Sequence, residues 1–178
     1  MILSASMMCA NYDHLKEDVL RLDAAGIDMF HIDIMDGNYV PNLAMGMQDI
    51  AAVRKHTSLP LDAHLMVMNP KNILQPLIDI GVNVIYIHPE VDHRIIESLM
   101  LLKKQGVAPA IAVSPQFSYS YFEDVLPYAE YVLLMTVVPG FAGQAFLKGM
   151  DEKIDKFVAG KQKHGYKVMM DGAVSKIL

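Results

Sequence analysis

Two apolar runs of this chain carry polar residues two apart. In Met29-Phe30-His31-Ile32-Asp33-Ile34-Met35, the period of two along a strand puts His31, Asp33 and Met35 on one face and Ile32 and Ile34 on the other. A strand covered on both sides offers no water to a carboxylate, and an unpaired buried charge costs several kcal/mol, so Asp33 requires a partner or a metal. A structural pair with His31 is the plainer reading. A second run, Leu61 to Val67, repeats the pattern: Asp62, His64 and Met66 share one face near the strand's C-terminal end. One strand histidine is usually a satisfied core residue, but two histidines and a carboxylate on inward faces form a plausible ligand set for a divalent cation. A fourth ligand must then come from another strand, and Asp171, between Val168-Met169-Met170 and Gly172, stands at a strand-to-loop junction. Its alternative is an ordinary Asp-Gly turn.

A second kind of chemistry is suggested by Pro139-Gly140-Phe141-Ala142-Gly143-Gln144, where glycines let backbone N–H groups approach an anion such as a phosphate, although a flexible turn reads the same. Ser6 and Asn42 are candidate polar contacts. Met8, Met35, Met66 and Met135 fall near strand ends, where methionine either packs the core or caps a site with a soft apolar surface. His88-Pro89-Glu90 ends another apolar run without declaring a role.

These side chains need a scaffold. Apolar runs at Ile2–Met8, Met29–Met35, Leu61–Val67, Val84–Ile87, Ala108–Val113, Tyr131–Val137 and Lys167–Met170 start 23 to 36 residues apart, the length of one strand plus one crossover helix. Between them lie amphipathic stretches such as Asp13–Ala25, with Leu15, Val19 and Leu22 on one face and Lys16, Glu17 and Arg21 off it. Gly26, Gly81, Gly106 and Gly165 end such stretches as helix C-caps would. The class is α/β, and about seven strands favour a barrel over a doubly wound sheet. The expectation is one (β/α)8 TIM barrel domain over residues 1–178, truncated after the seventh strand and lacking the eighth βα unit, with Leu178 inside a seventh helix. An open barrel leaves the first and seventh strand edges unpaired, so such a chain is expected to be poorly stable or to associate.

Composition narrows the partners. The 178 residues hold 15 basic and 20 acidic side chains, a net charge of −5, with no run of one sign, so neither nucleic acid nor an anionic membrane is indicated. One cysteine, Cys9, cannot form an internal disulfide, and 14 methionines suit a reducing compartment, which points to the cytoplasm. No stretch reads as a signal peptide or a membrane span.

The chain resembles the ribulose-phosphate 3-epimerase family of (β/α)8 barrels. The resemblance runs through Ser6-Met7-Met8, His31-Ile32-Asp33-Ile34-Met35-Asp36-Gly37, Val40-Pro41-Asn42, His64-Leu65-Met66-Val67, Met135-Thr136-Val137-Val138 with the glycine loop, and Asp171-Gly172. His88-Pro89-Glu90 together with that loop is similar to the allulose-6-phosphate members. The resemblance implies that His31, Asp33, His64 and Asp171 bind one divalent metal ion (Zn, Mn, Fe or Co), with Asp33 and Asp171 as the two acid/base groups. It implies a sugar-phosphate substrate contacted by Ser6, His64, Gly140, Phe141, Ala142, Gly143, Asp171, Gly172 and Ala173, and a cis-enediolate shielded by Met35, Met66 and Met135. The reaction would be D-allulose 6-phosphate to D-fructose 6-phosphate, or D-ribulose 5-phosphate to D-xylulose 5-phosphate. By the same analogy a homo-oligomer is expected. Ala142 and Ala173 depart from the family's usual glycine and glycine-or-serine.

Two other readings compete. A phosphosugar aldolase or decarboxylase would need a lysine inside a strand, yet Lys167 begins its run and Lys153 falls in a predicted helix. A non-catalytic truncated barrel that binds phosphosugar or metal without turnover is the other.

Overall fold

A computed structural model describes residues 1–174. Its strands are β1 (Ser4–Ser6), β2 (Met29–Asp36), β3 (Leu43–Ala44), β4 (Leu61–Met66), β5 (Val84–Ile87), β6 (Ala108–Val113), β7 (Tyr131–Met135) and β8 (Lys167–Asp171). Seven of these lie parallel in the order β1-β2-β4-β5-β6-β7-β8, and β3 adds a short antiparallel pair to the end of β2. Helices α1 (Leu15–Ala24), α2 (Met47–His56), α3 (Lys71–Ile80), α4 (Ile95–Lys104), α5 (Tyr119–Phe122) and α6 (Met150–His164) alternate with the strands. Among the described residues β1 pairs only with β2, and β8 only with β7.

The period of two divides each strand between two environments. Ile32, Ile34, Ala63, Leu65, Ile85 and Ile87 join Val19, Ile50, Val53 and Leu77 in a core beneath α1 to α3. Ile111, Val113, Val132 and Leu134 join Leu99, Phe122 and Phe157 beneath α4 to α6. The alternate residues face the concave side, where Met29, Val84, Tyr86, Ala110, Ala112, Leu133 and Met135 pack together. Small side chains at Ala110 and Ala112 leave room for Tyr86, the largest fully buried side chain. Helix α1 buries Val19 and packs Leu15 and Leu22 against the core, while Lys16, Glu17 and Arg21 are exposed, as its periodicity requires. Gly81 and Gly165 cap α3 and α6 with φ of 92° and 82°, the left-handed geometry that glycine adopts without a Cβ penalty.

Several boundaries differ from the sequence-based expectation. The run Ile2–Met8 is a strand only at β1, because the Ser6 hydroxyl accepts the Met8 N–H at 3.4 Å and turns Met7–Cys9 into a 3-10 helix. Residues Tyr12–His14 form another 3-10 turn before α1. Pairing ends at Met66 and Met135, short of Val67 and Val137, and β8 runs one residue past Met170 because Asp171 still pairs with Met135. The two-residue β3 carries no periodic signal and was not foreseen. The helix expected around Leu178 lies outside the described residues. No helix among the described residues is long and apolar enough to cross a membrane.

Candidate metal centre and substrate cavity

Strand register assembles the centre. In the β2–β4 ladder His31 pairs with Asp62, Asp33 with His64, and Met35 with Met66. These concave-side residues form rows, with methionines at the C-terminal rim and the polar groups beneath. β8 contributes Asp171, level with Met135. One ligating atom from each of His31, Asp33, His64 and Asp171 lies within 4.8 Å of the other three. Nε2 of His31 is 3.4 Å from Oδ1 of Asp33 and 3.8 Å from Oδ2 of Asp171. Nδ1 of His64 is 3.4 Å and 3.7 Å from the same two oxygens.

The two imidazole nitrogens that face the centre are buried, and neither has a hydrogen-bond partner among the described residues. A buried nitrogen left unpaired costs roughly 1–3 kcal/mol. Two of them aimed at two carboxylates, in a mixed nitrogen and oxygen donor set, fit a divalent cation of the Zn, Mn, Fe or Co kind. The opposite nitrogen of each ring is held from outside. His31 Nδ1 is 3.2 Å from Asp62 Oδ1, which also accepts the Ser4 hydroxyl at 3.0 Å. His64 Nε2 is 2.8 Å from His88 Nε2. The His88 ring in turn meets Tyr39, Ser114 and Glu90.

Charge follows this arrangement. Burial alone would lower the His31 pKa, but Asp62 and Asp33 on either side outweigh it and hold it well above the ordinary histidine value in the metal-free protein. Burial would raise that of Asp33, yet His31 and His64 bring it far below the carboxylate range, and the Ser6 hydroxyl donates to its Oδ2 at 2.7 Å. Burial drives His88 down to about 4, with Glu90 opposing the shift. Glu90, despite burial, is lowered to about 2 by His88 and Ser114.

Asp171 is the most open of the four clustered residues, with 29% of its side chain exposed against 7% for Asp33. Its carbonyl accepts the Thr136 N–H at 2.8 Å and the Thr136 hydroxyl at 2.9 Å, and its Oδ1 accepts the Gly172 N–H at 2.7 Å. Gly172 has φ of 110°, and a Cβ there would meet Thr136 Oγ1 at 2.6 Å and Val137 methyls at 2.8 Å and 3.0 Å. Only glycine fits.

Above the ligands lies a cavity of about 250 Å³. Ser6, Met8, Asp33, Met35, Met66, Met135, Asp171, Gly172 and Ala173 line one part of it, and Gly140, Phe141, Ala142 and Gly143 another. Every residue that the resemblance implies as a substrate contact or shield lines this cavity except His64, whose ring is fully buried and packs between His31 and His88. Asn42 does not line it either. Its side-chain amide donates to the Gly140 carbonyl at 2.9 Å and so tethers the glycine loop. Gln144 donates to the carbonyls of Val138 and Phe141 in the same loop, at 2.6 Å and 2.8 Å. Cys9 also lines the cavity, and nothing in its sequence context marks it as a site residue. Asp62, Tyr39, Ser114 and Thr136 were likewise missed in their supporting parts; only for Asp62, on the inward face of β4, did the period of two carry a signal.

A parallel (β/α) barrel-type sheet thus carries a two-histidine, two-aspartate cluster at its C-terminal mouth, the end where barrels of this kind build their active sites. Comparison with known proteins makes this specific: residues 2–177 match the model of the ribulose-phosphate 3 epimerase family, and the chain belongs to that family of carbohydrate-phosphate epimerases, which are isomerases. The ribulose-phosphate 3-epimerase of Aquifex aeolicus is 37% identical over 153 residues, covering 86% of this chain and 69% of that one. Its counterpart from Bacillus subtilis is 33% identical over 177 residues, covering 98% and 82%. A mutant tryptophan synthase alpha-subunit from Pyrococcus furiosus shares the fold with a TM-score of 0.70 at 14% identity, covering 98% of this chain and 78% of that one.

Proposed function

We propose that the chain is a metal-dependent ketose-phosphate 3-epimerase that interconverts D-ribulose 5-phosphate and D-xylulose 5-phosphate by two-base proton transfer. The observation that supports this most is the convergence of Asp33 from β2 and Asp171 from β8 on one small centre under the cavity. Inverting C3 of a ketose phosphate needs a proton taken from one face and another returned to the opposite face, so two carboxylates must flank a planar cis-enediolate. Asp33 and Asp171 take these roles, and His31, Asp33, His64 and Asp171 would hold the divalent cation. When bound, that cation supplies Lewis-acid stabilisation of the enediolate charge. Met35, Met66 and Met135 exclude water from the reacting carbons. The backbone from Gly140 to Gly143, with Gly172 and Ala173, closes over the phosphate, and Ser6 contacts the sugar.

The relatives described above carry the pentulose-phosphate name, which favours ribulose 5-phosphate over allulose 6-phosphate. A single barrel domain, a homo-oligomeric assembly and a cytoplasmic location belong to the same proposal. The test is solvent-deuterium incorporation at C3, followed by NMR with the manganese-loaded protein and each sugar phosphate. Exchange with ribulose 5-phosphate is expected. Exchange confined to allulose 6-phosphate would reassign the substrate, and none with either would leave a non-catalytic binding barrel.

A further inference from the structure

The His64 ring has one nitrogen for the centre and one for the protein behind it. A cation can be held at Nδ1 only by its lone pair, so the ring proton must sit on Nε2 and be donated outward. The receiving atom is Nε2 of His88, 2.8 Å away, which must itself be unprotonated. Two proton arrangements of this ring pair exist. In one, both protons point outward and His88 carries its own on Nδ1. In the other, His88 donates inward and His64 Nδ1 becomes an N–H aimed at Asp33 and Asp171, closing the centre to a cation.

The surroundings of His88 Nδ1 select between them. It faces Tyr39 Oη and Ser114 Oγ, each at 3.0 Å, and Glu90 Oε1 at 3.3 Å. Both hydroxyls donate to that carboxylate oxygen, Tyr39 from 2.8 Å and Ser114 from 2.5 Å. Each hydroxyl has a single proton, so both present lone pairs to His88 and all three oxygens ask for an N–H there. A carboxylate also repels the lone pair that the inward arrangement would place opposite it. We propose that His88 and Glu90 are positioning residues that fix the tautomer of His64, with Tyr39 and Ser114 locking Glu90, so that Nδ1 is presented to a divalent cation as a free lone pair.

This rests on the metal-binding reading above, and its test separates the two. Co2+ alone is titrated into the full chain, followed by its visible absorption, for the unaltered protein and for His88→Leu and His88→Gln. The leucine removes the acceptor, whereas the glutamine amide oxygen restores one at the same reach. Affinity is expected to fall about 10- to 100-fold in His88→Leu, the usual effect of losing such a partner, and to recover to within a few-fold in His88→Gln. A merely structural histidine would lower the melting temperature without this split. In parallel, nitrogen-15 NMR of the Zn2+-loaded unaltered protein is expected to show His88 protonated on Nδ1 and bare on Nε2. Native Co2+ affinity in a folded His88→Leu protein, or a proton on His88 Nε2, overturns the assignment. Should His88→Leu not fold, the NMR tautomer alone decides. If the unaltered protein takes up no Co2+, the metal reading falls and the positioning role with it.

Discussion

Thr136 gives the Asp171 carbonyl two hydrogen bonds, one from its backbone N–H at 2.8 Å and one from its hydroxyl at 2.9 Å. Because Thr136 is fully buried, its side chain is a fixed post against which the most exposed residue of the candidate centre is set. Thr136→Val keeps the shape and removes the hydroxyl. One net hydrogen bond is worth about 1 kcal/mol, so turnover is expected to fall about five-fold with KM little changed. Steady-state kinetics check this, and an unchanged kcat would show that the backbone bond alone suffices.

Gly172 is the neighbouring test of the same corner. Gly172→Ala forces a Cβ into Thr136 and Val137 at a φ of 110°. The strained conformation alone costs roughly 1–3 kcal/mol, so the loop must shift and carry Asp171 with it. Activity is expected to fall more than in Thr136→Val while far-ultraviolet circular dichroism stays native, and a fully active protein would refute this account of the corner.

Removing one base at a time addresses the chemistry. Asp33→Asn and Asp171→Asn are nearly isosteric, and each is expected to lower C3 proton exchange by about 10²- to 10⁴-fold, the usual contribution of a general base. Deuterium incorporation followed by NMR is the measurement. Native exchange in either variant would end the two-base assignment.

Acid should compete with the metal. Burial alone would lower the His31 pKa, but Asp62 and Asp33 raise it well above its ordinary value, so a cation at Nε2 must compete with a proton held more tightly than on a free histidine. Affinity for Mn2+ is therefore expected to weaken as pH falls through neutrality, by about tenfold per unit where one proton is exchanged. Activity should vanish on chelation and return with Mn2+, Co2+, Zn2+ or Fe2+. Calorimetric titrations at several pH values provide the slope, and a flat profile would contradict the protonated imidazole.

Stability should decline in acid for a separate reason. His88, lowered to about 4 in the fold, takes up its proton earlier in the unfolded chain, so a folded-state penalty grows as pH drops from about 6.5 toward 4. Glu90, lowered to about 2, contributes stability above its unfolded pKa that is lost as pH falls from about 4.5 to 2. Both act in the same direction, and the His88 shift alone corresponds to a loss on the order of 3 kcal/mol. Urea midpoints at pH 7 and pH 4 should differ more in the unaltered protein than in His88→Leu, and equal differences would exclude this source.

The strands that carry the clustered residues were legible because a polar residue inside an apolar strand must be explained, and the period of two assigns it a face. His31, Asp33 and His64 followed from that rule, and Asp171 from its strand-to-loop position. The support behind them was not legible. Tyr39 sits in a loop, Glu90 in a 3-10 turn and Ser114 just past β6, so no period links them, and they meet only in the folded sheet. Thr136 was hidden in another way: its role is to hold a backbone carbonyl, which leaves no mark on residue type. The C-cap glycines and the helix faces were plain, whereas strand ends shifted by a residue or more wherever a side chain such as Ser6 captured the backbone first.

The order of the ligands along the chain carries a consequence for folding. His31, Asp33 and His64 stand on adjacent strands and are brought together by one β–α–β crossover, whereas Asp171 lies 107 residues beyond His64. Adjacent strands can thus form a three-residue cup from near neighbours, whereas Asp171 joins it across a much larger chain separation and at a higher loop-closure cost. Coordination by all four side chains would therefore depend on β8 docking against β7, and a cation held there would selectively stabilise that docking.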